Sequence, residues 1–124
     1  MIVRLGIVAA IASMCLTPAK AQTSAPQSYI SKSPIYLVIG YAPGGSYDLY
    51  ARLVARFLGK HMPGQPAIVP QNMPGAGSLQ AANYIYAVAP KDGTAIAALG
   101  ETIAMEQALQ NPGVRYDATE LTWI

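Results

Sequence analysis

The sequence predicts an α/β fold, a parallel sheet with crossover helices, and three observations point to it. Ile35 to Ile39 (IYLVI) is an almost continuous apolar run, the pattern of a strand covered on both faces. Strand-like and helix-like segments then alternate three times along the chain. Each passage from strand to helix runs through a short turn, and two of those turns are rich in glycine. The first residues stand outside this order. Arg4 precedes the apolar run Leu5 to Leu16, Thr17-Pro18 ends it, and Ala19-Lys20-Ala21 has a small-x-small form. This reads as a secretory signal peptide, residues 1–21, cleaved after Ala21. The run is shorter than the roughly 20 residues of a membrane-spanning helix. An acylated Cys15 is disfavoured because Met14 stands where a small residue is wanted. Residues 22–33 are polar and aperiodic, a flexible leader.

The first strand, Ile35 to Ile39, is broken by Gly40-Tyr41-Ala42-Pro43-Gly44-Gly45-Ser46. From Tyr47 the period becomes helical. Leu49, Leu53, Val54, Phe57 and Leu58 fall on one face, which predicts a buried stripe, with Arg52, Arg56 and Lys60 on a solvated face opposite. Gly45 or Ser46 is the expected cap, and Asp48 suits the dipole of the first turn. Met62-Pro63-Gly64 ends the helix. His61 lies at its C-terminus, where capping explains it. Ala67 to Val69 predicts a second short strand closed by Pro70. Asn72-Met73-Pro74-Gly75-Ala76-Gly77-Ser78 forms the second turn. The helix expected from Leu79 to Val88 buries Leu79, Ala82, Ile85 and Tyr86. Pro90 to Gly93 is a turn, Thr94 to Leu99 the third strand, Gly100-Glu101-Thr102 the third turn, and Ile103 to Leu109 a short helix. Leu121 to Ile124 reads as a strand that begins and stops at the chain end, as in a truncated or partial sequence.

Composition excludes several function classes. Charged residues make up 11% of the chain and the formal charge is +2, with no Lys/Arg cluster, so no nucleic-acid face is expected. One cysteine, lost with the signal peptide, and one histidine make a metal site improbable. No cofactor motif is complete. Gly75-Ala76-Gly77-Ser78-Leu79-Gln80 has two of the three glycines of a dinucleotide fingerprint, and neither glycine turn has the Gly-Lys-Ser/Thr of a phosphate-binding loop. Asp48 and Glu101 could form an acid/base pair, but no nucleophile or polarising group accompanies them.

The turns themselves carry chemistry. In open parallel sheets ligands sit beyond the carboxyl ends of the strands, where all three turns lie. Gly44, Gly45, Gly75 and Gly77 allow close approach of backbone N–H groups, and the helix N-termini near Ser46 and Ser78 add unpaired donors and partial positive charge. Ser46, Asn72, Ser78 and Thr102 offer side-chain hydrogen bonds, and Tyr41 an aromatic wall with a polar tip. The combination suits a carboxylate or phosphate held without a charged counter-residue.

Pro34 to Asp48 (PIYLVIGYAPGGSYD), Gln71 to Gly77 (QNMPGAG), Ala89 to Thr94 (APKDGT) and Tyr116-Asp117, in this order and spacing, resemble the extracytoplasmic solute receptors of tripartite tricarboxylate transporters, the Bug (TctC) family. The resemblance covers the chain beyond residue 33. It implies a periplasmic-binding-protein type II-like fold of two α/β lobes, residues 34–124 forming part of lobe 1 with the second lobe missing. It implies a periplasmic binding protein, not an enzyme, that captures a small carboxylate and delivers it to membrane transporter subunits, with no stable membrane insertion of its own after signal cleavage. The contacts it implies are Tyr41, Ala42, Gly45, Ser46 and Asp48 from the first turn, Asn72, Gly77 and Ser78 from the second, and Gly100, Glu101 and Thr102 from the third. Three positions depart from the family pattern. Tyr41 stands where Phe is common, Ser78 where Gly is common, and Glu101 where a small residue is usual. Two other readings remain at this point: an exported α/β enzyme fragment binding a phosphate ester, and an inactive truncated product.

Overall fold

The structure, a computed structural model, describes residues 33–124. The signal peptide and most of the leader expected from the sequence lie outside the described residues. Three strands, β1 (Ile35–Ile39), β2 (Ile68–Asn72) and β3 (Ala95–Ala98), alternate with three helices, α1 (Ser46–His61), α2 (Leu79–Ala87) and α3 (Ile103–Ala108). The sheet is parallel throughout in the order β2-β1-β3, with Ile35 opposite Ile68 and Tyr36 opposite Ala95. The α/β class is therefore as predicted. β1 is the central strand, which is why its sequence is apolar on both faces: Ile35, Leu37, Val38 and Ile39 are all buried.

Each face of the sheet has its own core. On one side Leu37 and Ile39 pack with Ala51 and Ala55 of α1, together with Ile68, Ile96 and Ala98. In the other core Leu79 and Ala82 of α2 pack with Ile103 and Tyr116, flanked by Tyr86, Leu99 and Val114. The chain moves one way across the sheet from β1 to β2 and the other way from β2 to β3. Crossovers of one hand then place α1 and α2 on opposite faces. The carboxyl ends of β1 and β3 meet where the strand order reverses, the topological position at which open α/β sheets bind ligands.

Several elements differ from expectation for identifiable reasons. β2 runs through Pro70 to Asn72 instead of stopping at the proline. Ile35 donates its N–H to the Ala67 carbonyl at 2.8 Å and Met73 donates to Ile39 at 2.7 Å. The alternation of a parallel ladder then directs residue 70 away from β1, toward the open edge, where a missing N–H costs no ladder bond. The apolar stripe of α1 is turned outward: Leu49 is 68% exposed and Leu53 52%, and Val54 and Phe57 are exposed as well. The sheet side of α1 is built instead from small residues. Ala51 and Gly59 are buried, and a β-carbon on Gly59 would collide with the Pro66 carbonyl, so the helix sits too close to the β2 entry for large side chains. In α2, Leu79 and Ala82 are buried as expected, joined by Ala81, whereas Ile85 and Tyr86 are only half-buried. Leu121 to Ile124 forms no strand. Its neighbourhood is tied locally, Glu120 N–H to Asp117 and Trp123 Nε1–H to Ala118 at 2.8 Å, rather than to a strand edge.

Candidate functional site

The first turn is held from beneath by a side chain of α1. Gly45 is the N-cap of the helix and has no side chain to offer, and Ser46 is its first helical residue. Asp48 takes over the capping role: its Oδ2 accepts the Gly44 N–H at 2.9 Å. Its Oδ1 accepts Nε–H of Arg52 at 2.8 Å and Nδ2–H of Asn72 at 2.8 Å. Asn72 also donates to the Tyr41 carbonyl at 3.0 Å and accepts from the Arg52 guanidinium at 2.8 Å. The network ties the end of β2 to both sides of the first turn. Asp48 is only 5% exposed, and its three donors, Arg52 first, hold its carboxyl down at about 2. A carboxylate held ionised this firmly is a poor proton donor near neutral pH.

The second turn is left-handed through three successive residues, Ala76, Gly77 and Ser78, with φ of 45°, 61° and 79°. Two of these are not glycine, so the conformation is strained and must be held by its surroundings. What holds it is the end of β1. Ser78 is fully buried against Gly40, where a β-carbon would overlap the Ser78 side chain, and its Oγ has no hydrogen-bond partner. α2 begins directly after it, and Ser78 as its N-cap makes no side-chain hydrogen bond to the first N–H groups.

The third turn closes the arrangement. A β-carbon on Gly100 would strike the Tyr41 hydroxyl and lie 3.1 Å from the Gly77 carbonyl oxygen. Gly100 thus marks the point where the three turns converge, beyond the ends of β1 and β3. Tyr41 stacks on Tyr47 with ring centroids 4.2 Å apart and planes inclined by 18°. Burial raises the Tyr41 phenol pKa first, and Tyr47 and the Glu101 carboxylate add to it.

The structure distributes the sequence-predicted residues as follows. Tyr41, Gly77, Ser78 and Gly100 meet at the convergence. Ala42, Gly45 and Ser46 lie exposed along the first turn, and Glu101 is exposed beside Gly100. Thr102 is the half-buried N-cap of α3. Asp48 and Asn72 direct their polar atoms at each other, at Arg52 and at the first turn. Sequence reasoning missed Arg52, Tyr47 and Gly40. The i, i+4 spacing of Asp48 and Arg52, acid before base, was a signal for the first, although that pattern is common on solvated helix faces. Among the described residues no group of His, Cys, Asp or Glu gathers as a metal site, and no helix is long and apolar enough to cross a membrane.

The chain is similar to a UPF0065 protein. Over 96 residues it is 43% identical to the UPF0065 protein in gbd 5'region of Cupriavidus necator, a match that takes in 77% of this chain. The chain spans 28% of that relative's length. No family model matches the chain. The matched stretch is too long to exclude the sheet, so the likeness includes at least part of the α/β unit that carries the turns.

Proposed function

We propose that residues 34–124 form part of the first lobe of a periplasmic solute-binding receptor, which captures a small organic acid for a tripartite tricarboxylate-type transporter. UPF0065 is the family of the Bug/TctC receptor proteins, and the likeness to one of them supports the receptor reading. The observation that carries it is the convergence of three strand-to-helix turns at the β1/β3 switch point. Two of these turns lead into helices long enough to present a dipole, and Ser78, the N-cap of α2, carries a buried hydroxyl without a partner. Such a wall offers N–H and hydroxyl donors to a carboxylate and holds it without a cation. Tyr41, Ala42, Gly45, Ser46, Gly77, Ser78, Gly100, Glu101 and Thr102 are the proposed contacts, with Asp48 and Asn72 fixing the first turn. The protein acts by binding rather than by catalysis. Closure of two lobes about a hinge would trap the solute for delivery to the membrane subunits.

Titration calorimetry of an intact two-lobe version against a panel of mono-, di- and tricarboxylates tests this reading. Submillimolar or tighter binding of at least one acid is expected, and no heat for any member would overturn it. Export is tested separately: the mature chain recovered from the periplasm should begin at Gln22.

A further inference from the structure

We propose that the outward face of α1 is a docking surface for a membrane, one that settles reversibly on a layer of anionic lipid headgroups. The inference takes the nearness of a membrane from the receptor reading above and goes beyond it, since none of the proposed solute contacts belongs to this face. Leu49, Leu53 and Phe57 stand at i, i+4 and i+8 along the helix, with Tyr50 and Val54 beside them, and all five are exposed. The sheet side of the same helix is taken by Ala51, Ala55 and Gly59. A contiguous apolar surface of this kind marks a contact with another protein or with lipid.

The charges decide between the two. Arg56 and Lys60 hold their cations over the Phe57 ring, 5.8 and 5.6 Å from its centroid, so positive charge lies on the apolar stripe itself. The one carboxylate of α1, Asp48, is buried and taken up by Arg52, the Gly44 N–H and Asn72. Glu106, Asp117 and Glu120 are hydrogen-bonded to side chains around α2 and α3, in the other layer. The face of α1 therefore offers cations and no free carboxylate. A second copy of the chain is a poor match, because joining two such faces brings four cations together with no acid on either helix to offset them. An anionic membrane surface matches every feature at once. Aliphatic and aromatic side chains enter between the headgroups, and the Arg and Lys stems run along them while their charges stay at the phosphates. Tyr50, an apolar ring with a polar tip, suits the same boundary.

The test is co-sedimentation of the mature chain, from Gln22, with vesicles of phosphatidylcholine alone or mixed about equally with phosphatidylglycerol. The anionic vesicles should be bound about thirtyfold more tightly, about fivefold for each of the two cations. At about 1 M salt, where screening acts within about 3 Å, most of that preference should vanish. Arg56→Gln combined with Lys60→Gln should remove it as well. Phe57→Glu should weaken binding to the anionic vesicles at least about tenfold. Met105→Glu, at an exposed site on α3, should leave it unchanged. Equal binding to both kinds of vesicle, or full binding by Phe57→Glu, overturns the inference. So does a mature chain that is dimeric in solution, becomes monomeric in Phe57→Glu and ignores vesicles, since a second copy then covers the stripe. Absence of binding to either vesicle also overturns it and leaves the receptor reading, judged by calorimetry, untouched.

Discussion

At the scale of single residues, Asp48 is the side chain on which the first turn depends. It sits in the first turn of α1, where a carboxylate already suits the helix dipole. Burial then makes its three hydrogen bonds matter more, because an unpaired charge there would have no water to fall back on. Its folded pKa of about 2 lies below the ordinary 3.8, so the ionised form is favoured in the native state. The stabilisation is therefore complete above about pH 3.8 and is lost as pH falls toward 2. Urea midpoints measured from pH 5 to pH 2 should fall steeply in the wild type and less steeply in Asp48→Asn. Some acid sensitivity will persist in the variant, since Asp92 and Asp117 are also held low by their neighbours Thr94 and Thr119. Equal slopes for the two proteins would show that Asp48 is not held by this network. The position of Asp48 in the first helical turn was legible in the sequence. Its partnership with Asn72 was not, because the two lie on different elements and meet only once β2 is paired to β1.

At the scale of elements, the second turn and the first strand are fitted to each other. Gly40 ends β1 without a side chain, and Ser78 fills the space a side chain would take. The left-handed Ser78 and its unpartnered hydroxyl are both costs that this fit sustains. Gly40→Ala should destabilise the protein by about 2 kcal/mol through overpacking. In a Ser78→Gly background the same substitution should cost less than about 1 kcal/mol, a coupling that a double-mutant cycle reads directly. Ser78→Gly alone should stabilise by about 1 kcal/mol, since glycine adopts the left-handed conformation freely and no hydroxyl is left buried. Additive effects of the two substitutions would place Ser78 away from Gly40. The sequence showed a glycine-rich turn at each of these sites. It did not show that the turns touch, because contact follows from strand order, and strand order is not written in the periodicity of any one segment.

At the scale of the whole molecule, the surface differs from what patterning implied. A helical stripe of large apolar residues ordinarily marks the buried face. Here the stripe of Leu49, Leu53 and Phe57 faces out, and Ala51, Ala55 and Gly59 face in. The small-residue stripe was present at i, i+4 and i+8, but volume outweighs spacing when a hydrophobic face is read from sequence, so the larger residues drew the assignment. Leu53→Glu and Phe57→Glu should each change stability by less than about 1 kcal/mol, as surface substitutions do, whereas Ala51→Glu buries a charge and should cost several times more. Thermal melts of the three variants decide it, and a large loss for Leu53→Glu would restore the buried-stripe reading. What was legible was the strand-turn-helix order and the burial of β1 on both faces, because a strand covered on both faces cannot hide its composition. The limits of β2 were not, because a proline normally ends a strand unless the ladder happens to turn its nitrogen outward.

That outward proline also makes the two margins of the sheet unequal. Along the outer side of β2, Pro70 interrupts the row of N–H donors that an incoming strand from another molecule would need. Along β3, Ala95 to Ala98 carries no proline and no charged side chain. Among the described strands, the β3 margin beside the third turn is therefore the one able to accept a further strand, and the margin next to Asn72 is interrupted.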